Sequence, residues 1–553
     1  MRTKLTVSGL VLLLILAAAG WSAWLSPRLL QDPRELRLVV RALPGTLDWN
    51  RSSSPSDVNF PVLLAIMRGL TRVDRQGRVL PDLASSWEER ITPGPSPRMI
   101  LTFHLAETLW SDGRTPVTAG DFVFAWRRAA LGVDRGELEQ VQGVAALNRA
   151  LGEHPDLPEA ERRRLLDGIG VAALDPRTLR VTLVAPRTEF LQLLAQVYVF
   201  YPAPSRDLEG LDEAAVRAYF DQPRAGKPMV LGPFRPERWD RLRGLIELVR
   251  NPQVPADPAA PARVVFHQSA LESVLFARGK ADFLQVQDPR DLWAPSADMR
   301  RQPLLSTVWL GFDTAKVPLP LRQALAWGLD RERLLAGILP GARIAFGLLP
   351  HDLDLAGAVA PGDPLARAFP VFDPARARRF LAQSGFDRRQ RLLLLVQKDS
   401  LMPGEALARG IQQQLRGLGL DVEIVASSQF RQDLEVLRPH LFIRRTGADY
   451  HHPHTFFIPQ TRNGSNGDRW QDLEGGAAMA ELERLLAQAS AAADPVRQRQ
   501  LYSRAQEDLL ARWVVLVPLY HPDRQFRVQG RVHGLTFDPF NNLDLRSVTL
   551  GSR

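Results

Sequence analysis

Apolar and basic residues alternate across Leu36–Arg41, the pattern of a strand with one face turned inward. Phe60–Leu70 has helical spacing and stops at Gly69. Met99–Leu105 alternates again, setting Leu101, Phe103 and Leu105 against Ile100, Thr102 and His104. Thr118 is placed to cap an amphipathic helix that runs through Arg128. Leu179–Val184 and Leu245–Val249 read as strands, closed by proline turns at Pro186 and Asn251-Pro252.

The second half alternates between types of element. Val308–Phe312 predicts a strand, Leu321–Leu335 one helix, and Pro374–Gln383 a helix ended by Gly385. Leu392–Val396 is a fully apolar strand, Ala406–Leu418 a helix, and Val422–Val425 a strand. That order at that spacing predicts a βαβ unit with a right-handed crossover. A long helical stretch covers Ala477–Arg512 with a break around Ala492–Pro495, and Trp513–Tyr520 predicts a strand. The pattern is mixed α/β with more than one sheet. At 553 residues, two or three domains are expected.

Leu5–Leu25 carries no charge and follows Arg2 and Lys4. It fits either a secretory signal, with small residues at Ala17–Ala19, or an uncleaved anchor, with Trp21 and Trp24 at the far interface. Both place the chain after residue 30 outside the cytoplasm, periplasmic in a two-membrane cell and tethered by residues 5–25 if uncut. The net charge of +9 comes from basic residues spread among acids, which argues against a nucleic-acid partner. With no cysteine, disulfides, thiolate metal sites and a lipid-modified N-terminal cysteine are excluded.

Catalytic tools are scarce. There is no G-x-S-x-G elbow, no phosphate-binding G-x-x-x-x-G-K-[ST] loop and no H-E-x-x-H pair. The one dense polar cluster is Asp449-Tyr450-His451-His452-Pro453-His454. His451, His452 and His454 offer imidazoles to a metal, but Pro453 breaks the spacing, and loop histidines lining a polar cleft are the simpler reading. Tryptophans such as Trp110, Trp126, Trp309, Trp470 and Trp513 lie beside predicted strands or on apolar helix faces and are expected to pack inside.

Trp110-Ser111-Asp112-Gly113-Arg114-Thr115-Pro116-Val117-Thr118-Ala119-Gly120-Asp121-Phe122 resembles the signature of the extracellular solute-binding proteins, family 5. Further segments follow in that family's order. Gly69-Leu70 with Pro81–Trp87 resembles its "EGL…PGLAESW" region, and Leu231–Phe234 with Val249–Pro252 resembles "NGPF…KNP". Leu321–Arg331 resembles "VRQALAYAIDR", Phe372–Phe386 resembles "YDPEKAKALLAEAGY", and Gly447–Tyr450 with Pro453 and Phe456 resembles "ADYxDPxxFL". Val517–Tyr520 closes the series, and the resemblance spans about residues 36–550.

The resemblance implies a periplasmic-binding-protein-like fold (type II, cluster C) with two lobes and an inserted third, preceded by the N-terminal apolar helix. Lobe I would comprise 36–66, 185–309 and 520–553, lobe II 67–184, and lobe III 310–519. It implies a monomeric receptor without cofactor or enzymatic activity, which closes on an oligopeptide and delivers it to the permease of an ABC importer. Asp449 is implied to pair with the ligand's α-amino group. Arg445, Thr446, Gly447, Tyr450, His451, His452 and Tyr520 are implied to line the same site. Three positions depart from the pattern: Thr446 stands where an aromatic is common, His452 where an acid precedes the proline, and Arg68 where "EGL" has glutamate. Two other readings stay open, a nickel or metal-chelate receptor using His451, His452 or His454, and a cell-envelope peptidase.

Overall fold

A computed structural model of the chain describes residues 33–551, apart from 41, 52–59, 75, 133–135, 225, 287–297, 354–358, 360–368, 370, 399–401, 463, 471 and 538–542. The export segment read at residues 1–30 lies outside the described residues. Among those described, no helix is long and apolar enough to cross a membrane.

The architecture is mixed α/β and rests on three larger sheets. The first has seven strands, ordered Met299–Pro303, Asp523–Val528, Phe283–Gln285, Glu35–Val40, Arg263–Gln268, Leu245–Arg250 and Phe234–Asp240. The second has six, ordered Arg343–Ile344, Leu516–His521, Ser306–Phe312, Leu441–Gly447, Arg391–Gln397 and Asp421–Ser427. The third is an antiparallel sheet of four, ordered Ala84–Ile91, Met99–Leu105, Thr178–Leu183 and Val171–Asp175.

Local sequence explains the last two. In Met99–Leu105 burial alternates strictly, because one face of that sheet packs inward and the other is turned outward. Ser306–Phe312 is buried along its whole length, since the six-stranded sheet is covered on both faces. One apolar cluster, with Val308, Leu310, Leu392 and Ile411, covers the first face. Another, with Trp309, Phe442, Trp470 and Trp513, covers the second. Arg391–Gln397 and Asp421–Ser427 pair in parallel around helix Gly404–Arg416, as the predicted βαβ unit requires. Trp110, Trp126, Trp309 and Trp470 are fully buried, so packing is their role. At the start of helix Ala119–Ala130, Asp121 reaches back and its Oδ2 accepts the Thr118 N–H at 2.9 Å.

One predicted helix is two. Leu319–Trp327 and Arg331–Ile338 are separated at Gly328–Asp330, where the Asp330 carboxylate accepts the Arg333 N–H at 3.0 Å and starts the second helix.

The seven- and six-stranded sheets are joined by a paired ribbon. Met299–Pro303 lies antiparallel to Asp523–Val528 in the first sheet, and Ser306–Phe312 lies antiparallel to Leu516–His521 in the second. Between them the Leu304 N–H donates to the Pro522 carbonyl at 3.1 Å. The chain thus crosses twice, side by side.

Candidate functional site

Strand Leu441–Gly447 occupies an inner position of the six-stranded sheet, with Ser306 opposite Gly447, Thr307 opposite Thr446 and Val308 opposite Arg445. Where it leaves the sheet, burial divides the residues singled out above. Arg445, Gly447 and Asp449 are exposed; Thr446, Tyr450, His451 and His452 are buried. The Ala448 N–H donates to the Leu305 carbonyl at 2.8 Å, which anchors the turn to the crossover ribbon.

A buried hydroxyl holds Asp449 in place. The Asp449 N–H donates to Thr455 Oγ1 at 3.1 Å, and the same hydroxyl lies 3.3 Å from Asp449 Oδ2. An exposed carboxylate fixed in this way is prepared to accept a charge-assisted bond from a cation.

The buried neighbours face elsewhere. Thr446 accepts from Trp309 Nε1 at 3.0 Å, so it supports the apolar face rather than a binding surface. Tyr450 is 0% exposed, and its hydroxyl is cut off from solvent. Tyr520 is likewise buried, paired in register with Val308. The resemblance implies that both tyrosines line the ligand site. In this conformation they pack in the interior, because the sheet face and the loop over it close around them.

The three histidines point in different directions. His451 packs against Gly77, where an added Cβ would lie 2.2 Å from Nδ1, and the glycine's φ of +78° suits the tight turn there. His452 lies over Tyr450 and edge-on to Tyr502. His454 Nδ1 is 3.0 Å from Ser490 Oγ and 3.3 Å from Tyr502 Oη, and its Nε2 is 3.3 Å from Arg187 Nη1. Among the described residues, no three His, Cys, Asp or Glu are placed to hold a metal ion.

Behind Asp449 lies a buried polar cluster that sequence reasoning missed. Glu189, 0% exposed, accepts from Ser490 Oγ at 3.1 Å and Arg187 Nη1 at 3.3 Å, with His454 Nε2 at 4.0 Å. Burial works to raise its pKa, but the groups it faces on His454, His452 and Arg187 outweigh burial and hold it below the usual range. Arg187 is the permanently charged partner in this cluster. Arg187 and His454 are 267 residues apart in sequence, a separation that no local pattern bridges.

Burial lowers His452 and His454, the latter to about 4, and lowers His521, beside the crossover, to about 3. Unfolded, each would titrate near about 6.5. Above that pH both states are neutral and nothing is lost. As pH falls from there toward the folded value, the unfolded chain takes up protons that the folded chain refuses, costing about 1.4 kcal/mol per pH unit per group. The urea midpoint should therefore drop steadily between about pH 6.5 and pH 4; a flat profile there would contradict this burial.

Comparison with known proteins follows the same lines. Residues 78–468 match the family model described as "Bacterial extracellular solute-binding proteins, family 5 Middle". The periplasmic murein peptide-binding protein MppA of Escherichia coli is 23% identical, over 90% of this chain and 89% of that protein. The periplasmic oligopeptide-binding protein OppA of Salmonella typhimurium is 25% identical, over 99% and 98%. Among solved structures, unliganded open MppA superposes with a TM-score of 0.72 at 20% identity, covering 94% of this chain and 98% of that one. Haemophilus influenzae OppA in complex with RPPGFSPFR gives 0.66 at 21%, covering 94% and 100%. These likenesses show the two-lobed, type II periplasmic-binding fold, and with the family match over most of its length the chain belongs to the bacterial extracellular solute-binding proteins of family 5.

Proposed function

We propose that this protein captures short peptides outside the cytoplasm, holding the free α-ammonium group at Asp449, and passes them to the permease of an ABC importer. The observation that carries the reading is the exposed Asp449 carboxylate, set by Thr455 just past the end of an inner strand of the sheet. The relatives that align over most of the chain are named as murein-peptide and oligopeptide binders. In this reading the seven-stranded sheet forms lobe I, the six-stranded sheet lobe III, and residues 67–184 the inserted lobe II. Residues 309–310 and 519–520 lie inside strands of the six-stranded sheet, so the junctions between lobes I and III are drawn at the crossover residues 304–305 and 522. Closure about that crossover would enclose the ligand.

A catalytic role finds no support in the geometry. Ser490, His454 and Glu189 are the residue types of a hydrolase triad, yet Ser490 is 1% exposed and its hydroxyl is already engaged by Glu189. The nickel reading lacks a converged ligand set at His451, His452 and His454.

Titration calorimetry with tri- and tetrapeptides carrying free or acetylated N-termini tests the proposal. Free peptides should bind, acetylated ones much more weakly, and mass spectrometry should recover both intact. Equal affinity for the two sets would refute the role of Asp449, and cleavage would refute a pure receptor.

A further inference from the structure

Thr455, which orients the Asp449 carboxylate, directly follows His454, and His454 is gripped from outside its own sheet. Arg187, Thr188 and Glu189 lead into helix Phe190–Gln196. Its Phe190, Leu193 and Leu194 belong to the apolar cluster that spans the seven- and four-stranded sheets. Ser490 and Tyr502 lie on helices Ala477–Ala491 and Pro495–Glu507, which pack on the six-stranded sheet.

Several bonds tie the two sides together. The Thr188 N–H donates to the Ser490 carbonyl at 3.1 Å, and Gln498 Nε2 donates to Thr188 Oγ1 at 2.8 Å. Tyr450, one residue past Asp449, is buried in the first of those clusters and not in the ones that cover its own sheet. Asp449 and Thr455 are thus each bordered by a residue held from the far side.

Within this contact the donors run in one sense. Arginine can only donate, so His454 Nε2 accepts from Arg187 Nη1 at 3.3 Å and the ring proton sits on Nδ1. Nδ1 donates to Ser490 Oγ at 3.0 Å, and Ser490 Oγ donates to Glu189 Oε1 at 3.1 Å. Arg187 Nη1 closes the circuit on Glu189 Oε1 at 3.3 Å. With both nitrogens engaged, the ring has one orientation, and the backbone that carries Thr455 is held with it.

We propose that Arg187 and Glu189 are positioning residues for peptide capture. Acting through His454, they hold the Thr455 hydroxyl that aims Asp449 at the ligand's ammonium group. The inference rests on the peptide reading for its ligand but not for its geometry, so the two can fail separately.

Combining Arg187→Leu with Glu189→Leu removes both charges at once, which a buried pair tolerates better than the loss of one partner. In the unliganded double variant, amide hydrogen exchange across residues 448–456 should run about fivefold faster, with the strands of the six-stranded sheet unchanged. Calorimetry should show a free-amine tripeptide bound about fivefold more weakly and its acetylated form unaffected. Placed on Thr455→Ala, the double change should cost no further affinity, because both act on one step. Unchanged exchange across 448–456 would overturn the proposal, as would losses that simply add to that of Thr455→Ala. If the parent binds no peptide, the capture reading falls and the exchange rates alone decide the positioning. If the double variant does not fold, Arg187→Gln, at a part-exposed side chain, is put through the same measurements.

Discussion

Asp449→Ala is expected to weaken binding of a free-amine peptide by about 10²-fold to several times 10³-fold. The variant leaves the ligand's ammonium enclosed without its counter-charge, and breaking an enclosed ion pair from one side costs roughly 3–5 kcal/mol. The loss should not spread to the fold, since Asp449 is exposed and its Thr455 partner also bonds the loop backbone. Thr455→Ala should cost less, about 1 kcal/mol, because it frees the carboxylate without removing it. Calorimetry on all three proteins, with thermal melting to confirm folding, measures both effects. An Asp449→Ala protein that binds like the parent would end the proposal.

Glu189→Ala is expected to destabilise the protein by about 3 kcal/mol at neutral pH. It removes the buried acceptor that faces Arg187 and Ser490. The figure sits at the low end for a broken buried pair because the Arg187 side chain is still 27% exposed and can turn to water. Glu189→Gln keeps the volume, so the gap between the two variants separates charge from packing. Urea unfolding reads both from the midpoint at constant slope, and a loss below about 1 kcal/mol would show that the cluster fills space and little else.

Much of the scaffold can be read from local pattern. The Thr118–Asp121 helix start, the alternation of Met99–Leu105 and the apolar run Leu392–Val396 each reflect a physical demand that acts within a few residues. Leu441–Gly447, which leads into the site, is hidden from such a reading because Arg444 and Arg445 interrupt its apolar pattern. Arg444 is tolerated there because its Nη1 donates to the Ser465 carbonyl at 3.1 Å, a partner supplied by a later loop. Family resemblance points to Asp449 and the structure leaves it exposed, but the same resemblance puts Tyr450 and Tyr520 at the ligand. Their burial depends on how distant segments close over the sheet. Gly77 against His451 and Glu189 beside His454 are contacts of that kind, set by tertiary packing and absent from any short window.

The doubled crossing at Pro303–Ser306 and His521–Asp523 has the build of a flexure. Two antiparallel tracks that share a hydrogen bond at their midpoint bend readily across their flat face but resist stretching and sideways slip. In the proposed two-lobed receptor, such a ribbon would favour opening and shutting along one bending direction. A molecule captured in that way would meet the same opposing wall at every cycle, so that selectivity would reside in the wall and need no mobile gate.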